Sequence, residues 1–137
     1  IINVAGNTGV GSWAAAFCSE HNIRYHLFLP CPTEDIENIF YEDQAKLINY
    51  YFTYAWATTI SFPKYESSAQ MIDNYKHIID NSNFVIYFWK GMKQGSVFDS
   101  IKYALSTNVL SINGLDEKKL ITNEEIGKPH EEYSTCY

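Results

Sequence analysis

Short apolar runs alternate along this chain with longer segments in which apolar residues recur every three or four positions. The runs Ile1–Ala5, Ile23–Leu29, Thr58–Phe62, Phe84–Phe88 and Val109–Ile112 predict strands. Trp13–Glu20, Asp43–Ala55, a segment opening at Ser67 or Ser68, and Ser96–Leu105 predict helices. In Asp43–Ala55, the residues Ala45, Ile48, Phe52 and Ala55 form the expected core stripe. In the segment after Ser68, Met71, Ile72, Tyr75, Ile78 and Ile79 supply the apolar face. Ser12 predicts an N-cap for the first helix. Pro30-Cys31-Pro32 stops the second strand because proline cannot donate to a ladder, and Thr33 predicts a cap for the acidic turn that follows. Phe84–Phe88 is apolar throughout, which predicts a central strand buried on both faces.

Strands alternating with helices imply parallel pairing through right-handed crossovers. The expected fold class is therefore α/β: a Rossmann-like three-layer α/β/α sandwich with a mainly parallel sheet of about five strands. Residues 1–113 form this expected domain. Residues 114–137 are a polar, acid-rich C-terminal tail with three roles open to it: covering a sheet edge, assembly, or remaining mobile. The chain opens on an apolar strand without a methionine or polar lead-in, which reads as a fragment from which earlier elements were removed.

Composition narrows the function classes. At 137 residues, with 46% hydrophobic and 16% aromatic residues, the chain carries enough apolar surface for a folded core and is not a disordered segment. A net charge of −6 and the lack of a dense Lys/Arg stripe argue against non-specific nucleic-acid binding, which needs a basic surface to displace phosphate counterions. No apolar run approaches the roughly 20 residues of a membrane span, and no leader resembles a signal peptide. Three cysteines, Cys18, Cys31 and Cys136, are spaced neither as a disulfide framework nor as a zinc site, which fits a reduced, cytoplasmic setting. Metal spacing is also missing from His21, His26, His77 and His130, and no metal is expected.

The candidate chemistry lies in two glycine turns. Gly6-Asn7-Thr8-Gly9-Val10-Gly11-Ser12 joins the first strand to an alanine-rich helix, and Gly91-Met92-Lys93-Gln94-Gly95-Ser96 joins Phe84–Phe88 to another. Strand, glycine turn and helix N-terminus together make an anion site, because backbone N–H groups and the helix dipole point at the same place. Glycines let the backbone approach a ligand, while Asn7, Thr8 and Ser12 can add hydrogen bonds to phosphate or ribose. The first turn lacks the lysine of a P-loop, so a turn that merely seats the helix on the sheet remains the alternative. In the second, Ser96 is placed to cap the helix or donate to phosphate, and Lys90 and Lys93 add positive charge. Asp99, three residues on, is placed to bind ribose hydroxyls, to act as nucleophile or base at a glycosidic carbon, or only to complement the helix dipole. Tyr65, with Glu66 and Gln70, stands in a connection that crosses the carboxyl edge, where an aromatic ring stacks on a base or packs in the core. Asp80-Asn81-Ser82 reads as a turn, and Cys31 as structural. The aromatic run Tyr50-Tyr51-Phe52, with Tyr54 and Trp56, is too broad for one core stripe and points to a homo-oligomer contact.

These residues fall in an order that resembles the YpsA-like branch of the SLOG superfamily, which includes the DprA and LOG nucleotide-binding proteins. The similarity covers Ile1 to about Ala104. Gly6–Ala14 is similar to that family's glycine loop, Leu27-Phe28-Leu29-Pro30 to its strand ending in proline, and Asp43-Gln44 with Tyr50 to its Gln–Tyr helix. Tyr65, Gln70, Asp80 and Ser82 fall at its spacings, and Gly95-Ser96 with Ala104 resembles its second glycine turn. Three departures stand out. Gly11 occupies the place of an acid, Asn74-Tyr75 that of an Arg-Asn pair, and the first β-α unit is missing.

The resemblance implies a domain that binds a nucleotide or nucleotide-derived small molecule, with an ADP-ribose-type signalling ligand favoured, as a sensor or sequestering protein. Its ligand would lie across the two turns, on Gly9–Ser12 and Gly95-Ser96, with Tyr65 or Asn74 at the base or sugar and Asp99 at the ribose. No cofactor beyond that ligand is expected. Missing the acid and the arginine argues against surviving hydrolysis, since catalysis needs charges set against the transition state. Two alternatives stay open: cleavage or transfer at an N-glycosidic bond through Asp99, and a ligand-free interaction module.

Overall fold

The computed structural model of the protein describes residues 1–7, 9–116 and 119–127. In chain order its elements are β1 (Ile2–Ala5), α1 (Val10–Glu20), β2 (Tyr25–Leu29), α2 (Thr33–Ile36), α3 (Glu42–Tyr54) and β3 (Ala57–Ile60). They continue with α4 (Ala69–Asp80), β4 (Phe84–Tyr87), α5 (Ser96–Ser106), β5 (Leu110–Asn113), β6 (Lys119–Leu120) and α6 (Asn123–Gly127). The fold class is α/β. Pairing occurs in two sheets of three strands, where the alternation predicted one sheet of about five. The chain correspondingly divides into two compact units, Ile1–Ile78 and Ile79–Tyr137.

The first unit is built on the all-parallel order β1–β2–β3, with Val4 opposite Leu27 and Leu27 opposite Thr58. Its middle strand is buried at Tyr25, Leu27, Phe28 and Leu29, as a parallel strand with neighbours on both sides requires. Ala15 and Cys18 of α1 and Ala45 and Ile48 of α3 complete the core. The expected stripe on α3 needs one correction: Phe52 is exposed, and Tyr51 packs on the core instead. The main-chain oxygen of Tyr51 accepts the hydroxyl of buried Tyr25 at 2.5 Å, which draws that turn inward. Because the strands are parallel, the ends of β1, β2 and β3 line one carboxyl edge, and the segments leaving them are the place where such sheets bind ligands.

Helix ends are set by backbone geometry more than by the expected caps. Gly9 (φ 78°) is the N-cap of α1, which places Ser12 inside the first turn rather than at its start. Thr33 is likewise the first helical residue of α2, behind Pro32. The carbonyls of Ser67 and Ser68 accept the amides of Gln70 and Met71 as the chain winds into α4. Asn22 (φ 55°) and Asn108 (φ 59°) end α1 and α5 in the left-handed region. Ile23 N–H to Cys18 O and Val109 N–H to Ala104 O then close each helix as a Schellman turn and launch the next strand.

In the second unit β4 pairs parallel with β5, and β5 pairs antiparallel with β6. The core gathers Tyr87, Trp89, Phe98, Ile101 and Ile121. Of the roles open to the tail, its first part covers a sheet edge: Lys119–Leu120 pairs with β5, and Ile121 is buried with its N–H on Ser111 O. Residues 128–137 lie outside the described residues. The expectation of β4 as a central strand buried on both faces is corrected. It is an edge strand of its sheet, with Tyr87 buried and Phe84, Ile86 and Phe88 about half exposed. Uniform apolarity along a strand does not say how many faces are covered.

Candidate functional site

The first glycine turn leaves β1 at the carboxyl edge and is pinned at each step. Gly6 N–H donates to Phe28 O at 2.8 Å, and Asn7 N–H to Ala5 O at 2.9 Å. The Ser12 hydroxyl reaches back to Asn7 O at 2.8 Å, so that side chain ties the turn together. Asn7 Nδ2–H donates to the Tyr75 hydroxyl of α4 at 2.7 Å. Gly11 is required by close packing, because a Cβ there would overlap Ala5 O and come within 2.5 Å of Asn7 Oδ1. The same contact leaves no room for the acid that the resembling family carries at this place. Gly9 is required by its positive φ, and among the described residues nothing beyond its chain neighbours lies within 4 Å of a Cβ built on it. Among the described residues no side chain caps α1, whose first intrahelical bond runs from Trp13 N–H to Gly9 O at 3.0 Å. The amides of Val10, Gly11 and Ser12 therefore precede the helical ladder at the positive end of the helix dipole. Thr8, an expected ligand residue, lies outside the described residues.

The second turn, in its own unit, repeats the pattern. Gly91 (φ 93°) and Gly95 (φ 94°) take conformations that glycine adopts without strain, and Gly95 is the N-cap of α5 with no side-chain cap. Asn113 braces the entry to this turn. Its Oδ1 accepts the amides of Trp89 and Leu115, each at 3.2 Å, and its Nδ2–H donates to Trp89 O at 2.8 Å. Trp89 Nε1–H then holds Met92 O at 2.9 Å. Lys93 does not simply project towards an anion: its ammonium donates to Glu125 O at 2.6 Å. Ser96 is the first residue of α5, not its cap. Asp99 lies in the first helical turn, half-buried, with Lys102 Nζ 3.4 Å from its carboxylate.

The other expected site residues divide by environment. Asn74 is 1% exposed, with Nδ2–H on Phe28 O at 3.0 Å and Oδ1 accepting from Ser61 at 2.9 Å, so it acts on the turn through the protein rather than by touching a ligand. Gln70 is also buried. Its Nε2–H donates to Lys64 O and its Oε1 accepts from Glu66 N–H, which shapes the loop around Tyr65. Tyr65 packs on the first core while its N–H donates to Asp35 Oδ2 at 3.0 Å. Asp80 accepts the Tyr103 hydroxyl at 2.7 Å, which raises that hydroxyl's pKa. Burial pushes the Cys31 thiol up to about 11, so it stays protonated at neutral pH, as expected of a structural cysteine.

Three residues enter the site that the pattern did not mark out as partners of the turn. Tyr75 reads from periodicity as an apolar-face residue, yet its hydroxyl accepts from Asn7, and burial raises its pKa. Ser61 and His77 meet at 2.8 Å beside Asn74. Among the described residues no cluster of three or more His, Cys, Asp or Glu is placed to hold a metal ion, and no helix is long and apolar enough to cross a membrane. No protein-family model matches the chain, and no curated protein matches it at a significant level.

Proposed function

We propose that the protein binds a nucleotide or nucleotide-derived small molecule, of ADP-ribose type, with a phosphate on the first glycine turn, and that it serves as a sensor or sequestering protein. The observation that carries this reading is the uncapped start of α1. There, among the described residues, Gly9 opens on free space at the carboxyl edge of a parallel sheet, while Gly6, Asn7 and Ser12 hold the turn rigid. Phosphates are stabilised at such helix starts by unpaired amides and by the dipole. A preorganised turn also loses little conformational freedom on binding. The Gly95-Ser96 start of α5, in the other unit, has the same form and is taken by itself as a further place for an anion.

The Rossmann-like three-layer sandwich with a sheet of about five strands belongs to the same proposal. In its support, β1, β2 and β3 pair all-parallel and β4 pairs parallel with β5, with helices in the connections between them. Tyr50, Tyr54 and Trp56 are exposed and support self-association as part of this reading.

The test is thermal unfolding of the full chain with ADP, ADP-ribose and related nucleotides, together with mass spectrometry of whatever small molecule purifies with it. A bound nucleotide at 100 times its Kd stabilises by about 2.7 kcal/mol and raises Tm. Indifference of Tm to every nucleotide at millimolar concentration overturns the reading.

A further inference from the structure

Three side chains in the first unit are joined in a line that ends on the glycine turn. Phe28 O accepts both Gly6 N–H at 2.8 Å and Asn74 Nδ2–H at 3.0 Å. A carbonyl only accepts, so the nitrogen of the Asn74 amide faces it and Oδ1 faces Ser61. Ser61 Oγ lies 2.9 Å from that oxygen and commits its one proton there. Ser61 Oγ also lies 2.8 Å from His77 Nδ1. With the hydroxyl proton spent, only lone pairs remain for His77, so Nδ1 must carry a hydrogen. The imidazolium and the Nδ1–H tautomer meet that demand, whereas the Nε2–H tautomer sets two lone pairs against each other.

The two ends of this line differ in environment. Asn74 is 1% exposed, so solvent does not repair a break next to it. His77 is exposed to solvent. Around His77, Asp73 and Asp80 stand one turn to either side on α4, with Lys76 adjoining. From the β3–α4 connection come Ser61 and the stacked ring of Phe62, followed by Lys64 and Glu66. The pair is not arranged for nucleophilic attack. Ser61 directs its proton at Asn74, and the amides of Ser61 and Phe62 are spent on Leu29 O and Pro30 O rather than offered to an oxyanion.

We propose that His77, Ser61 and Asn74 are positioning residues for the first glycine turn. The proton on His77 Nδ1 sets how firmly the Phe28 carbonyl is held, and thereby how well the turn receives a phosphate-bearing ligand; this last step rests on the function proposed above. When the imidazolium gives up a proton, the neutral ring divides between the two tautomers, and in the Nε2–H fraction Ser61 turns its proton towards the imidazole. Asn74 Oδ1 is then buried without that donor, and the amide shifts against the carbonyl that also anchors Gly6.

The first test needs no ligand. In a pH titration of the ¹⁵N-labelled full chain, the Gly6 amide and the Asn74 side-chain amide should shift with the same midpoint as the His77 ring. In Ser61→Ala the ring should still titrate while Gly6 stands still, and Ser61→Thr, which keeps a hydroxyl, should restore the coupling. A Gly6 amide that ignores His77 in the native chain, or still follows it in Ser61→Ala, overturns the proposal. Should Ser61→Ala not fold, His77→Gln takes its place: a flat Gly6 response is expected, and a titrating one overturns the proposal. In the second test ADP is the probe. Its affinity in the native chain should rise about fivefold relative to His77→Gln as His77 protonates, the worth of one hydrogen bond. Coupling of Gly6 to His77 with no binding of ADP or ADP-ribose at any pH supports the positioning chain and counts against the ligand reading. ADP binding with Gly6 indifferent to His77 does the reverse.

Discussion

Asn7 donates its side-chain N–H to the Tyr75 hydroxyl at 2.7 Å across 68 positions of sequence. This bond fastens the middle of the first glycine turn to α4, while Ser12 fastens the same residue to α1 through its main-chain oxygen. The turn is thus braced from two helices, and its open side is left to Gly9. A turn braced in this way loses little conformational freedom on binding, which is what the ligand proposed for it would require.

Replacing Tyr75 by Phe removes the acceptor and leaves the ring in place. The expected cost is about 1 kcal/mol, the net worth of one partly buried hydrogen bond. Asn7→Ala should cost a similar amount, and the double variant should cost less than the two together because both lose the same bond. Urea denaturation of the four proteins gives the coupling directly. Strict additivity would show that the bond contributes nothing.

Gly11 tests whether the space beside Ala5 is really closed. A Cβ at this position meets a backbone oxygen that has no freedom to move away, as well as the Asn7 amide. Gly11→Ala should therefore cost about 1–3 kcal/mol and shift the Asn7 amide resonance. Gly11→Asp, which installs the acid of the resembling family, should cost more than Gly11→Ala. Equal or improved stability of Gly11→Asp would mean that the turn relaxes to accept it.

Much of this architecture was legible because its signals are local. Glycine clusters marked both turns, apolar runs marked the strands, and paired prolines marked the end of β2. Contacts between distant residues were not legible: nothing in the periodicity of α4 separates Tyr75, which holds Asn7, from its apolar neighbours. Ser12 illustrates a different failure. A serine at a helix start ordinarily signals a cap, but the positive φ of Gly9 starts the helix earlier and leaves the Ser12 hydroxyl to Asn7. Phe84–Phe88 failed for a third reason, since composition records how apolar a strand is and not where it sits in its sheet.

Asn113 should be the most sensitive polar residue of the second unit. It is 7% exposed and makes three hydrogen bonds to the backbone, two at Trp89 before the second glycine turn and one at Leu115 after β5. Asn113→Ala leaves two amides and a carbonyl without that partner, and about 2–3 kcal/mol of stability should be lost. Asn113→Asp keeps both acceptor bonds but faces Trp89 O with an oxygen, so it should also destabilise. Hydrogen exchange at Trp89 and Leu115 would report the loss locally.

Asp99→Asn separates a surface ion pair from a catalytic group. The carboxylate is 44% exposed and its partner Lys102 is 51% exposed, so screening leaves the pair worth no more than about 0.5 kcal/mol. Tm should barely move, and incubation with ADP-ribose should release no free base from either protein. If the native chain releases base and Asp99→Asn does not, Asp99 is the nucleophile or base of an N-glycosidic cleavage and the binding-only reading falls.

Alkaline stability should depend on Cys31. Its thiol is fully buried, and burial raises its pKa from 9.0 to about 11, with the Asp35 carboxylate adding to the shift. The folded state therefore holds the proton more tightly than the unfolded chain does. That contribution is complete below pH 9, and it is lost as pH rises from 9 to about 11. The loss amounts to about 2–3 kcal/mol for a shift of this size. Tyr87, raised from 10.0 to about 12 by burial, adds a second decline at higher pH. Cys31→Ala lacks the titrating thiol, so urea midpoints measured across the same window should fall less steeply than in the native chain, whatever the offset from the lost sulfur. Parallel declines in the two proteins would place the alkaline sensitivity outside Cys31, in groups such as Cys18 and the buried tyrosines whose pKa values are also raised.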